Sequence, residues 1–163
     1  FDFRVLLEGE SPGQKSAKDY YRALGATSEG ALNAGHRAIA YLETRHGMNR
    51  FFSTSDQRLV VHEFARQNQI VILEEETDIQ TMSHHPALLA MAKGRATHVI
   101  NSVVLFSLEC LPENSEDRMA ILKAAREHKV TLFFALEKMV YPQKTTEAEL
   151  EKMYFGKQWV QAA

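Results

Sequence analysis

The residue of this sequence best suited to covalent chemistry is a serine at the start of a predicted helix. Ser53 stands in the segment Phe52-Ser-Thr-Ser-Asp-Gln57. A hydroxyl at a helix N-terminus lies beside backbone N–H groups that can hold a phosphate oxygen. It could attack a phosphodiester if cationic groups stabilised the developing charge. The alternative is an ordinary N-cap, which Ser, Thr and Asp supply in many helices, and the motif alone favours capping.

Acidic residues form a second candidate group, at the ends of predicted strands. Glu74 and Asp78 follow one strand and Glu137 follows another. Carboxylates at such an edge could bind Mg²⁺ or serve a small-molecule α/β enzyme, since ligands of parallel sheets bind beyond the carboxyl ends of the strands. A run of three glutamates is more typical of a solvated strand exit. We therefore expect neither a metal nor a cofactor.

The histidines and the single cysteine have weaker claims to a chemical role. His84 and His85 are adjacent, so their side chains point in different directions, and no HxxxH spacing supports them as ligands. For His62 and His98 we predict surface or structural roles. Cys110 follows a predicted strand and could be a nucleophile, but free cysteines are usually small buried hydrophobes.

Composition excludes several classes of protein. The 163 residues carry 19 Lys+Arg, 21 Asp+Glu and 45% hydrophobic residues, which argues against disorder and against a histone-like attraction to nucleic acid. No apolar run is long enough to span a membrane, no secretory signal is visible, and one cysteine excludes a disulfide framework. No GxGxxG or GxxxxGK[ST] loop is present, so Rossmann or P-loop nucleotide chemistry is not expected. We expect a cytoplasmic protein, although a targeting element or a further domain could precede Phe1.

The elements that would position these residues alternate between helix and strand. In the first third, a strand is predicted at 1–7, followed by helices at 14–24 and 28–45, the second because Leu32, His36, Ile39 and Leu42 recur at helical spacing. After residue 52, helices are predicted from Ser53, Pro86, Asn114 or Ser115, and Glu147, and strands at 69–73, 98–106 and 130–135. Apolar strands alternating with helices predict one α/β domain with a mostly parallel central sheet flanked by helices in three layers.

The order of these pieces resembles the catalytic domain of the serine recombinases, the resolvases and invertases. The resemblance is carried by Ser53-Thr-Ser-Asp-Gln57, Asp78, the helix start His85-Pro-Ala-Leu-Leu-Ala-Met91 and the strand ending Val104-Leu-Phe-Ser-Leu108, and it covers about residues 49–140. It implies a three-layer resolvase-like fold, Ser53 at the position of the nucleophile, DNA as a partner, and a homodimer. Residues 1–48 lie outside it, with 1–7 supplying a strand and 14–46 an inserted helical pair, and 141–163 form a C-terminal helix.

Several arginines expected from the resemblance are absent. Phe51 stands two residues before Ser53, Ser107 and Cys110 stand in the segment after the strand, and His85 precedes Pro86. In the family these arginines bind the scissile phosphate, and removing one group of this type costs about two to three orders of magnitude in rate. The resemblance therefore implies a recombinase-like domain without the usual catalytic machinery.

Two functions follow from this comparison. The first is a catalytically inactive domain that acts as a protein-interaction or DNA-associated regulatory module. The second is an active recombinase or nicking enzyme in which Ser53 is the nucleophile and Arg50, Gln57 and Arg58 contact DNA. A predicted helix at 147–158 adds an apolar edge that could pack on its own domain, which we favour, or on a partner. Its residues are Leu150, Met153, Tyr154 and Trp159.

Overall fold

A five-stranded sheet with four helices forms the part of the chain that the computed structural model describes, namely residues 35–44, 52–78, 85–94 and 100–162, with side chains through Lys157. The strands are β1 (Arg37–Tyr41), β2 (Val71–Glu76), β3 (Ser102–Leu105), β4 (Thr131–Phe134) and β5 (Met139–Tyr141). The helices are α1 (Thr54–Gln67), α2 (Pro86–Ala92), α3 (Ser115–Glu127) and α4 (Glu147–Ala162), and a 3₁₀ turn spans Leu108–Cys110.

The sheet has the strand order β2-β1-β3-β4-β5. All neighbours are parallel except β4 and β5, which are antiparallel. The predicted α/β class with a mostly parallel sheet is thus confirmed. The edge strand β5, only three residues long, was not expected from the sequence because so short a segment has no measurable periodicity.

Helices cover both faces of the sheet. On one face the rings of Phe133 in β4 and Phe64 in α1 lie 6.0 Å apart. On the other face Tyr141, which pairs with Leu132, donates its hydroxyl proton to the carbonyl oxygen of Leu122 in α3 at 3.1 Å. Since successive strand residues point to opposite faces, α1 and α3 lie on opposite sides, and α2 contacts α3. The result is the three-layer arrangement.

The predicted helix at 28–45 is wrong over β1, which is a central strand. Residues 38–41 of this strand have no exposed surface, and a strand buried on both faces is apolar at every position. A short apolar run of this kind cannot be distinguished from a buried helix by its spacing. In the described part of the chain, the strand that precedes Ser53 is therefore β1. The predicted elements at 1–7 and 14–24 lie outside the described residues.

The strand predicted at 69–73 also needs correction. The observed strand starts at Val71 and includes Glu74, Glu75 and Glu76, which the sequence pattern places in the strand exit. It is an edge strand and is half exposed toward its carboxyl end. The glutamates are tolerated because one side of an edge strand meets solvent.

The helix starts follow the sequence closely. Asn114 caps α3 by accepting a hydrogen bond from the backbone N–H of Asp117 at 3.1 Å, and Pro86 occupies the first turn of α2 as predicted. The last helix extends to Ala162, beyond the predicted end. Of its predicted apolar edge, Leu150 and Tyr154 are buried against the domain, as the sequence favoured, whereas Met153 is exposed and the side chain of Trp159 lies outside the described residues.

Candidate functional site at the carboxyl edge of the sheet

Ser53 is the N-cap of α1. Its backbone is extended, and its Oγ accepts a hydrogen bond from the backbone N–H of Asp56 at 3.1 Å. The Asp56 carboxylate accepts the backbone N–H of Ser53 at 3.3 Å, which completes a capping box. The serine is exposed, but one lone pair of its oxygen is already engaged by its own helix. The geometry is therefore that of an N-cap, the alternative that the motif alone favoured.

Gln57, predicted to contact DNA, is completely buried. Its Nε2 donates to the carbonyl oxygens of Glu43 at 2.9 Å and Phe52 at 3.0 Å, and its Oε1 accepts the backbone N–H of Glu43 at 2.8 Å. The side chain therefore ties the segment after β1 to the start of α1 and fixes where Ser53 lies. Sequence reasoning missed this role, although Gln57 precedes Val61 by four residues on the buried stripe of the helix. A DNA contact by Gln57 stays a prediction.

Arg58 is directed to the edge strand β2. Its Nε lies 2.7 Å from Oε1 and 3.1 Å from Oε2 of Glu75, and His62 Nε2 lies 3.3 Å from the same Oε1. The hydrogen bond from Arg58 is the main reason that the pKa of Glu75 is lowered, with His62 contributing. Arg50, the other cation predicted near Ser53, lies outside the described residues.

The two positions after β3 where the resemblance expects arginines hold buried side chains. Ser107 donates its hydroxyl proton to Glu137 at 2.6 Å, and Glu137 also accepts the backbone N–H of Leu108 at 3.1 Å. Lys157 of α4 reaches the same carboxylate, with 2.6 Å between Nζ and Oε2. Cys110 has no exposed surface. Glu137 is thus committed to holding the loop after β3 and the helix α4.

Asp78, another of the predicted edge acids, caps the start of α2 from outside the helix. It accepts the backbone N–H groups of Ala87 at 2.7 Å and Leu88 at 3.1 Å, and the hydroxyl of Tyr41 at 2.9 Å. The residue at the N-cap position itself, His85, has a positive φ of 53° and forms no side-chain cap. A carboxylate beside the positive end of a helix is a stabilising arrangement. Burial, with Glu43 and Asp78 nearby, raises the pKa of the Tyr41 phenol.

The remaining candidate ligands do not converge in the described parts of the chain. No group of three His, Cys, Asp or Glu side chains there could hold a metal ion. Glu74 is exposed on the edge strand, and His62 is exposed beside Glu75. His84 and His98 lie outside the described residues. None of the described helices is long and apolar enough to cross a membrane.

Comparison with solved structures supports the fold suggested by this topology. The N-terminal catalytic domain of TP901-1 integrase superposes with a TM-score of 0.58 at 13% identity, covering 77% of this chain and 97% of that one. A resolvase-family site-specific recombinase from Streptococcus pneumoniae gives a TM-score of 0.53 at 15% identity, covering 78% of this chain and 95% of that one. The chain has a serine recombinase catalytic-domain fold. The sequence itself matches no protein-family model and none of the curated proteins.

Within this recombinase fold, the expected position of the nucleophile is filled by a helix-capping serine. The described side chains around it are committed elsewhere: Gln57 to backbone groups, Arg58 to Glu75, and Ser107 to Glu137. At these levels of identity the likeness concerns the fold alone. The chemistry therefore has to be argued from the residues of this chain.

Proposed function

We propose that this recombinase-fold domain does not perform phosphoryl transfer and serves as a protein-interaction or DNA-associated regulatory module. The observation that carries the proposal is the engagement of Arg58 with Glu75 together with the burial of Ser107 and Cys110. A phosphoryl-transfer site needs preorganised cations aimed at the reacting phosphate. Arg58, Ser107 and Cys110 do not supply such a cation to Ser53.

The charge of the sheet edge supports the same proposal. The described residues that directly follow the parallel strands include the carboxylates Glu43, Asp78 and Glu137 and one cation, Lys138. Fixed negative charge at an edge disfavours the approach of a phosphate. Asp78 accepts a hydrogen bond from a helix N–H group, and Glu137 binds the N–H group of Leu108 and the ammonium group of Lys157. These two carboxylates therefore have structural roles and are not free to act as general bases.

An active recombinase or nicking enzyme with Ser53 as the nucleophile is the second candidate, because Ser53 is exposed at a helix N-terminus in the appropriate fold. The decisive experiment mixes the protein with end-labelled duplex and nicked DNA and searches for a covalent protein–DNA adduct on a denaturing gel. Ser53→Asn is the matched variant, since asparagine retains a capping oxygen but has no nucleophilic hydroxyl. We expect no adduct with either protein. An adduct formed by the parent protein and lost in Ser53→Asn would establish the active alternative.

The salt dependence of DNA binding distinguishes a DNA-associated module from a protein-interaction module. We would measure the fluorescence anisotropy of labelled duplex and single-stranded DNA across a series of salt concentrations. A linear fall of log K with log salt would support a DNA-associated module, because phosphate contacts release counterions. Absence of binding at low salt would leave protein interaction, and sedimentation would then test whether the partner is a second copy of the chain.

A further inference from the structure

A groove lies between the C-terminal end of α1 and the edge strand β5. It encloses about 370 Å³ and is lined by Phe64, Gln67, Asn68, Lys138, Val140 and Lys144. Its apolar part consists of Phe64, which is largely buried, and Val140, which is partly exposed on β5. The α1 part of the lining lies toward the opposite end of that helix from Ser53, about 15–20 Å along the helix axis.

The charge of the groove is positive. Neither Lys138 nor Lys144 forms an ion pair with any other residue in the described chain. Among the lining side chains, Gln67 donates a hydrogen bond to the carboxylate of Glu63 at 3.1 Å. Glu63 is itself paired with Arg66 at 2.6 Å, so its charge is largely offset.

We propose that this groove binds an acidic peptide segment of a partner protein, with an apolar side chain placed against Phe64 and Val140 and carboxylates beside the two lysines. The complementarity of charge argues for an anionic occupant, and the apolar lining argues for one with an apolar side chain. Extended segments that bind along a sheet edge commonly take their specificity from pockets of this kind.

A peptide fits the groove better than a nucleic acid does. Duplex DNA bound through its backbone typically engages about six to ten phosphates, and this groove offers two lysines. Phe64 is 8% exposed, too little for the stacking on which single-strand binding depends, so most of the accessible apolar surface of the groove belongs to the partly exposed Val140. An acidic peptide uses both the cations and the apolar lining.

The test measures the anisotropy of a fluorescein-labelled peptide of about twelve residues, with glutamates flanking two central leucines. Two further peptides replace the leucines by serine or the glutamates by glutamine. We expect the parent protein to bind only the acidic peptide with leucines, and Lys138→Gln/Lys144→Gln to weaken this binding about tenfold or more, the effect of losing two charge contacts. Lys93→Gln/Lys152→Gln, which removes the same charge from exposed positions outside the groove, should leave it unchanged.

Four results would overturn the inference. They are no binding by the parent protein, equal weakening by both pairs of substitutions, competition by duplex DNA that depends on Lys138 and Lys144, and a lower melting temperature of Lys138→Gln/Lys144→Gln with unchanged peptide binding. The last would mean that the lysines only offset the carbonyl end of α1. A Ser53–DNA adduct would refute the proposed function and leave the peptide result unaffected, so the two failures are distinguishable.

Discussion

At the scale of single residues, Ser53 and Asp56 satisfy two backbone N–H groups at the start of α1 through reciprocal hydrogen bonds. We predict that Ser53→Ala lowers the free energy of unfolding by about 1 kcal/mol, the usual cost of losing an N-cap. Ser53→Asn should retain most of the stability because its side-chain oxygen can accept the same hydrogen bond. Urea denaturation of the three proteins measures both effects. Equal stability of Ser53→Ala and the parent would show that the cap contributes nothing.

A larger loss is expected at Asp78, whose carboxylate accepts three hydrogen bonds while it is 6% exposed. Asp78→Ala would leave the Tyr41 hydroxyl and two N–H groups of α2 without an acceptor, and we predict a loss of about 2–3 kcal/mol. Tyr41→Phe removes one of the three hydrogen bonds and is the control, with an expected cost of about 1 kcal/mol. The comparison uses chemical denaturation, and a loss at Asp78→Ala no larger than at Tyr41→Phe would contradict the capping role.

At the scale of elements, α4 is held to the domain by ion pairs of unequal burial. Arg118 in α3 is 1% exposed, pairs with Glu151 at 2.8 Å, and lies 4.0 Å from the centre of the Tyr154 ring. It also donates to the carbonyl oxygens of Pro112 at 3.1 Å and Glu113 at 2.6 Å. The arginine therefore joins α3, the loop before α3 and α4 at one buried point.

We predict that Arg118→Met destabilises the protein by about 3 kcal/mol, because Glu151 and two carbonyl oxygens lose their donor. The matched change on the surface is Arg126→Met, which breaks the pair with Glu147 at 2.6 Å where the arginine side chain is 52% exposed. Such exposed pairs contribute about 0–1 kcal/mol. Denaturation gives the two losses, and hydrogen exchange should show faster opening of α4 in Arg118→Met alone. Equal losses in the two variants would count against the anchoring role.

At the scale of the whole molecule, stability depends on pH through groups whose pKa the fold lowers. Burial, with a contribution from Arg37, lowers the pKa of His36 below its usual value of 6.5, and its ring packs edge-on to Phe133 at 4.9 Å. As the pH falls, the His36 side chain is therefore protonated at a higher pH in the unfolded chain than in the folded one. Stability is fully present above about pH 6.5 and falls as the pH drops through the lowered pKa.

We predict that His36→Gln reduces the loss of stability between pH 7 and pH 5, because glutamine does not titrate in this range. Melting temperatures of both proteins across the interval provide the measurement. A second decline should begin below about pH 4.5 in both, since Arg58 lowers the pKa of Glu75 and Arg66 lowers that of Glu63. Parallel curves for parent and variant between pH 7 and pH 5 would exclude His36 as the cause of the first decline.

The sequence by itself determined the local signals. N-caps and proline at helix starts depend on groups within one turn of the chain, and so the helix starts at Ser53, at Asn114 or Ser115, and at Pro86 could be predicted to within a residue or two. The class and the parallel sheet followed from the apolar strands that alternate with helices. The order of motifs around Ser53 and Asp78 was sufficient to suggest the recombinase fold.

Only the tertiary structure decided which residues those signals serve. The segment Arg37–Tyr41 is a strand because it lies between two other strands of the sheet. The spacing of its apolar residues does not show this. Gln57, Asp78 and Glu137 are structural because backbone groups 14, 9 and 29 residues away along the chain meet their side chains. Such long-range hydrogen bonds depend on the packing of whole elements. In the sequence these polar side chains therefore resemble a reactive edge, whereas in the folded domain they position backbone segments.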